Sequence, residues 1–198
     1  MKGTLLLAIV GLMSAVGITA QAQQIRLGQP AYGGTGCPAG SASVTVSPDA
    51  SSLSILFDNY VAEAGSGRAM DRKSCNISVP VSVPSGYSVA VIQVDYRGFN
   101  FVPRGGMSRF DAEYFWAGAR GPRISRTFMG PVNDSYTISD GLIASTMVWT
   151  PCGADVNLRV NTSMMAKSNA RGEQTLATVD SADISSGLIY HLQWRRCR

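Results

Sequence analysis

A chain of 198 residues, 45% of them hydrophobic, is long enough for one domain with a sizeable core. Its formal net charge of +4 is small, His191 is its single histidine, and its four cysteines include no Cys-x-x-Cys pair. These features exclude the common structural zinc sites and place nucleic-acid binding low, because no recognition motif accompanies the charge.

Met1 and Lys2 form a positive n-region, and residues 5–16 are apolar except at Gly11 and Ser14. Ala20-Gln21-Ala22 supplies small residues where a signal peptidase requires them, so residues 1–22 read as a signal peptide cleaved after Ala22. The apolar run is shorter than the roughly 20 residues of a membrane span. No later stretch is apolar enough to span, and no cysteine near the cleavage site could carry a lipid. The mature chain is therefore expected to be soluble, monomeric and secreted or extracellular, with the periplasm or cell surface as its place in a bacterium. Residues 23–36, rich in Gly and Gln, read as a flexible N-terminal arm, and residues 37–198 as a single domain.

Period-two alternation then recurs along the chain. It appears in Leu53, Ile55 and Phe57; in Ile77, Val79, Val81 and Val83; and in Ala90, Ile92, Val94 and Tyr96. Val156, Leu158 and Val160 repeat it, as do Leu188, Tyr190, Leu192 and Trp194. Pro80 and Pro84 cannot donate ladder hydrogen bonds, which points to an edge strand or one paired on a single side. Turn signals separate these runs, among them Ser47-Pro48-Asp49, Pro84-Ser85-Gly86, Gly105-Gly106, Gly130-Pro131 and Asp140-Gly141. No stretch after the signal has a convincing helical period. The expectation is all-β: a single antiparallel β-sandwich with little helix, its topology open between jelly-roll and Ig-like.

Four cysteines allow three pairings. Chain order favours Cys37 with Cys75 and Cys152 with Cys197, since each pair then joins a loop to the end of a predicted strand. Closing a loop of about 40 residues contributes roughly 4 kcal/mol in the chain-entropy model.

The blocks Gly36-Cys37-Pro38-Ala39-Gly40-Ser41, Leu56-Phe57-Asp58-Asn59-Tyr60, Arg72-Lys73-Ser74-Cys75 and Val94-Asp95-Tyr96-Arg97-Gly98-Phe99 occur in this order. Thr127-Phe128-Met129-Gly130-Pro131, Trp149-Thr150-Pro151-Cys152-Gly153 and Trp194-Arg195-Arg196-Cys197 follow. Together they resemble a family of small secreted proteins of bacteria and eukaryotes, described as a domain of unknown function, number 4360. The resemblance spans nearly all of the mature chain. It implies export, two disulfides and a compact β fold, and no established activity.

Any Ser-His-Asp or Cys-His relay would have to run through His191, and no Gly-x-Ser-x-Gly elbow occurs. Asp111 and Glu113, two apart on a predicted strand, are the closest carboxylate pair in sequence, with Cα atoms about 6.5–7 Å apart. Their neighbours Phe110, Ala112, Tyr114 and Trp116 form the apolar face, so both acids should point to water. Asn133-Asp134-Ser135 with Asp140, and Asp180 with Asp183, place oxygens in predicted turns without an EF-hand pattern, and no metal or other cofactor is expected.

Residues 96–128 hold Arg97, Arg104, Arg109, Arg120, Arg123 and Arg126 interleaved with Phe99, Phe101, Tyr114, Phe115 and Trp116. Guanidinium forks grip carboxylate or phosphate while aromatic faces stack on sugars, a mixture suited to an anionic glycan or cell-envelope polymer. The competing reading makes the aromatics core and the arginines a solubilising rim. The expected function is a non-catalytic binding or surface-associated module. Its contacts would be Arg104, Arg120, Arg123 and Arg126 with an exposed member of Tyr114, Phe115 and Trp116. The alternative is a small hydrolase acting on glycans through Asp111 and Glu113. Asn-x-Ser sequons stand at Asn76, Asn133 and Asn161.

Overall fold

The computed structural model describes residues 26–48, 52–141, 147–179 and 188–197, and the cleavage site lies outside them. The strands are β1 (Arg26–Leu27), β2 (Ala31–Gly33), β3 (Ala42–Val46), β4 (Ser52–Phe57), β5 (Tyr60–Ala64), β6 (Met70–Ser82) and β7 (Tyr87–Val102). They continue with β8 (Met107–Trp116), β9 (Arg123–Met129), β10 (Val132–Gly141), β11 (Val156–Lys167), β12 (Thr175–Val179) and β13 (Leu188–Arg196). No helix occurs among the described residues. One sheet runs β1-β6-β11-β8-β9, with β2 also on β6; the other runs β3-β4-β13-β7-β12-β5, with β10 on β7.

The two sheets pack face to face around a core that alternation built. Ile77, Val79, Val81 and Val83 are all buried, as are Leu53, Ile55 and Phe57. Phe110 of β8 meets Tyr96 of β7 across the layers with ring centroids 5.0 Å apart, and Tyr60 Oη lies 3.0 Å from Thr162 Oγ1. The expected all-β sandwich is the observed fold.

β6 shows how Pro80 is tolerated. One edge carries the long ladder to β11, with Pro80 opposite Asn157. The other edge carries only the two short strands β1 and β2. Pro80 falls between them and accepts a hydrogen bond from the Gly28 amide at 2.8 Å. Part of the segment read as a flexible arm is thus paired to β6.

In β7 the structure corrects the alternation. Val94 and Tyr96 are buried as expected, but Val89 and Val91 take the inward positions, and Ile92 is only half-buried. The register explains the change: His191 pairs with Gln93 while the next residue, Leu192, pairs with Val91. Ile92 is the extra residue of a β-bulge, and a one-residue insertion exchanges the faces of everything beyond it.

Both disulfides have the expected pairing, Cys37–Cys75 with Cα atoms 5.4 Å apart and Cys152–Cys197 at 6.0 Å. The first is wholly buried, whereas Cys152 is exposed.

Gly98 is required by contact rather than by conformation. A Cβ there would lie 2.0 Å from the Thr178 carbonyl oxygen and 2.6 Å from Tyr136 Oη. Tyr136, opposite Gly98 in the β7–β10 ladder, closes over it and donates to that same carbonyl at 2.8 Å. Gly98→Ala is therefore expected to cost about 1–3 kcal/mol as an overpacking change, read as a Tm loss of roughly 2–4 °C per kcal/mol. Gly33→Ala, with nothing within 4 Å of the added atom, should leave Tm unchanged; equal effects at the two positions would refute the contact argument.

Candidate functional site

Because Phe110, Ala112, Tyr114 and Trp116 fill the core, the alternate residues of β8, Arg109, Asp111, Glu113 and Phe115, face outward. Register brings distant segments beside them. Glu113 is flanked by Asn161 of β11 and Arg123 of β9, and Asn161 by Asn76 of β6. Asp111 is flanked by Ser163 and Ser125, and Ser163 by Ser74. Arg109 stands opposite Met165, which stands opposite Arg72. The result is an open groove of about 540 Å³ on the outer face of the first sheet, lined by Arg72, Asn76, Asp111, Glu113, Arg123 and Asn161 among others.

Its charges are interlocked. Arg109 Nη2 is 2.9 Å from Asp111 Oδ1, and Arg123 Nη2 is 3.3 Å from Glu113 Oε2. Arg72 reaches over β11 to Ser163 Oγ at 3.4 Å and Met165 Sδ at 3.7 Å. The two exposed pairs add little stability; with the Arg72 contacts they set three guanidinium groups along one face.

The arginines that are dense in sequence do not form one patch. Arg104 stands in the turn before β8 and Arg120 in the connection after it, so the ten residues of β8 separate them by about 30 Å. Arg123 enters the groove. Arg126 pairs with Phe110 and has the inward parity of buried Ile124, so it projects on the other side of edge strand β9, exposed.

Of the three aromatic candidates, Tyr114 and Trp116 belong to the core and Phe115 is half-buried on the outer face. Tyr114 donates to Asp140 Oδ2 at 3.2 Å and Trp116 Nε1 to the Val148 carbonyl at 2.8 Å. Burial, and then the Asp140 carboxylate, push the Tyr114 phenol well above its ordinary range.

Asn133, Asp134, Ser135 and Asp140 lie within β10 rather than in turns, so alternation points neighbours apart. Asp180 and Asp183 lie outside the described residues. Among the described residues no group of three or more His, Cys, Asp and Glu side chains could hold a metal ion. His191 pairs through its backbone with Gln93 and Ser52. No helix among the described residues is long and apolar enough to cross a membrane.

A family model described as Domain of unknown function (DUF4360) matches residues 23–197. The chain belongs to the DUF4360 family. It is also 32% identical over 169 residues to an uncharacterized secreted protein of Arthroderma benhamiae, an alignment that covers 84% of this chain and 69% of that protein. This DUF4360 protein is a secreted protein, and its two disulfides suit an oxidising compartment.

What the DUF4360 groove can do follows from its donor set. Guanidinium groups donate paired N–H bonds to planar anions, amides and hydroxyls exchange hydrogen bonds with sugar hydroxyls, and the two carboxylates accept from them. Arg72, Ser74, Asn76, Asn161 and Ser163 were not among the site residues expected from the sequence. Their signal was the polar half of each alternating strand, and Asn76 and Asn161 already stood out as sequons. Only the β6–β11 register makes those two asparagines neighbours.

Proposed function

We propose that this DUF4360 protein is a secreted, non-catalytic binding module that holds an acid-bearing glycan or envelope polymer along the outer face of its first sheet. The observation that carries the reading is the groove of about 540 Å³ with side chains from four adjacent strands, β6, β11, β8 and β9. Arg72, Arg109 and Arg123 take the acidic groups, and Asn76, Asn161, Ser74 and Ser163 take the hydroxyls. Phe115, two residues beyond Glu113 on the same face of β8, offers a half-buried ring outside the groove lining. A polymer following β8 meets Arg104 at one turn and Arg120 at the other. A rigid sheet needs little ordering on binding, which favours affinity.

Binding of polygalacturonate, with a neutral β-glucan as control, tests the proposal. Hydrogen bonds to charged groups contribute about 1.5–3 kcal/mol each, so Arg109→Ala with Arg123→Ala should weaken binding at least tenfold with Tm intact. Salt should weaken the parent as well, because exposed charges are screened over about 8 Å at physiological ionic strength. Arg126→Ser, on the other side of β9, serves as the internal control and should bind like the parent. A parent that binds no acidic polymer ends the proposal. Release of reducing ends in the same samples, lost on Asp111→Asn or Glu113→Gln, would replace it with the carboxylate-dependent hydrolase.

A further inference from the structure

At the end of the sandwich closed by Cys152–Cys197, a second open groove of about 720 Å³ is lined by Ser88, Thr150, Cys152, Arg195, Arg196 and Cys197. It belongs to the other sheet, and its parts come from the two edges of β7. Arg195 of β13 pairs with Ser88 on one edge. Trp149 bridges to Ala90 on the other. The Arg195 side chain crosses β7 and lays its guanidinium over the indole, with Cζ 4.1 Å from the ring centroid.

The surroundings hold that stack in place. The Thr150 amide donates to the Val89 carbonyl at 2.9 Å, and the Val89 amide donates to Thr150 Oγ1 at 3.0 Å. Ser88 Oγ donates to the Thr150 carbonyl at 2.6 Å. The Cys197 amide donates to the Gly86 carbonyl at 2.8 Å, and the disulfide joins the Trp149 segment to the end of β13. Among the described residues, neither Arg195 nor Arg196 has an ion-pair partner, whereas Arg109 and Arg123 each have one.

We propose that Arg195 and Arg196 form a second anion-binding subsite, one that takes the carboxylate or sulfate group of a polyanion. Stacking uses only the face of the Arg195 guanidinium and leaves its N–H edge free for a planar or tetrahedral anion. Because the stack already restricts the side chain, less rotamer freedom is lost on binding. Arg196, next in β13 and also lining the groove, adds the second charge. The subsite is independent of the groove on the first sheet.

The test measures binding of dextran sulfate and of polygalacturonate to the oxidised protein by calorimetry, with tryptophan fluorescence followed in parallel. The two polymers separate sulfate from carboxylate recognition. Arg195→Met keeps an apolar stem over Trp149 but removes the charge, and Arg196→Gln alters an exposed side chain. Each should weaken binding of the preferred polymer about tenfold with Tm unchanged. Trp149→Leu should weaken it too while leaving both charges, a result that unrestricted surface arginines would not produce. Binding lost on substitution of Arg123 but unaffected at Arg195 and Arg196 overturns the subsite and leaves the sheet-face proposal standing. The reverse pattern supports the subsite and removes the other. A parent that binds neither polymer at low salt overturns both.

Discussion

Replacing Cys37 and Cys75 together with alanine is expected to lower the stability of the oxidised protein by about 4 kcal/mol. The bridge spans 38 residues, and the chain-entropy model assigns roughly that value to a loop of this length. Against a typical total of about 5–15 kcal/mol the loss is large. More than entropy is at stake, since both cysteines are buried in the core cluster. Beside them, Gly36 donates to the Ser74 carbonyl at 2.8 Å and packs so close to Tyr60 that an added Cβ would fall 2.3 Å from its ring. Cys152 and Cys197 provide the comparison, with a similar span of 45 residues but an exposed member. If loop closure dominates, urea denaturation will give the two double variants similar losses; if burial adds to it, the Cys37–Cys75 variant will be the weaker. A loss below about 1 kcal/mol for both would contradict the covalent account of this fold.

Above about pH 10 the folded state is expected to lose stability steeply, because three phenols are held neutral inside it. Burial raises the Tyr60 phenol far above its usual value, with its hydrogen bond to Thr162 opposing the shift. Burial raises Tyr114, with Asp140 adding to it, and burial raises Tyr136, with Tyr60 adding to it. In the unfolded chain each ionises near 10.0. Above that pH the folded state binds more protons than the unfolded one, so stability falls as pH rises. Below it the contribution is fully present. Each tyrosine adds a slope of up to about 1.4 kcal/mol per pH unit, hence roughly 4 kcal/mol for the three. Tyrosinate absorbance should show these phenols ionising only together with loss of near-UV dichroism, and Tyr60→Phe or Tyr114→Phe should make the decline shallower. Titration of all tyrosines near pH 10 with the fold intact would refute the burial of these rings.

The groove was partly legible before folding. That Asp111 and Glu113 would face water followed from the aromatic and apolar residues between and around them, since two-residue periodicity leaves them nowhere else to point. That Arg123 would lie against Glu113, and Asn161 beside it, did not follow. Those contacts depend on which strands pair and in what register, and a sequence window contains neither. The reading of Arg104, Arg120, Arg123 and Arg126 as one set of contacts met the same obstacle. A strand of ten residues carries the chain across the whole sheet, so residues close in sequence on either side of it end up at opposite ends of the molecule.

The sequence by itself determined the class of fold, the pairing of the cysteines favoured by chain order, and most of the core, including Ile77, Val79, Val81 and Val83. These are local consequences: alternation decides which face of a strand is apolar, and Gly and Pro decide where it ends. Tertiary structure alone decided the rest. The bulge at Ile92 exchanges the faces of β7 because its partner β13, nearly a hundred residues later, sets the register. Arg195 lies over Trp149 because β7 brings both of its edges to one place. Burial can be read from the period of a single strand, whereas a site is a meeting of several strands, and only long-range pairing brings them together.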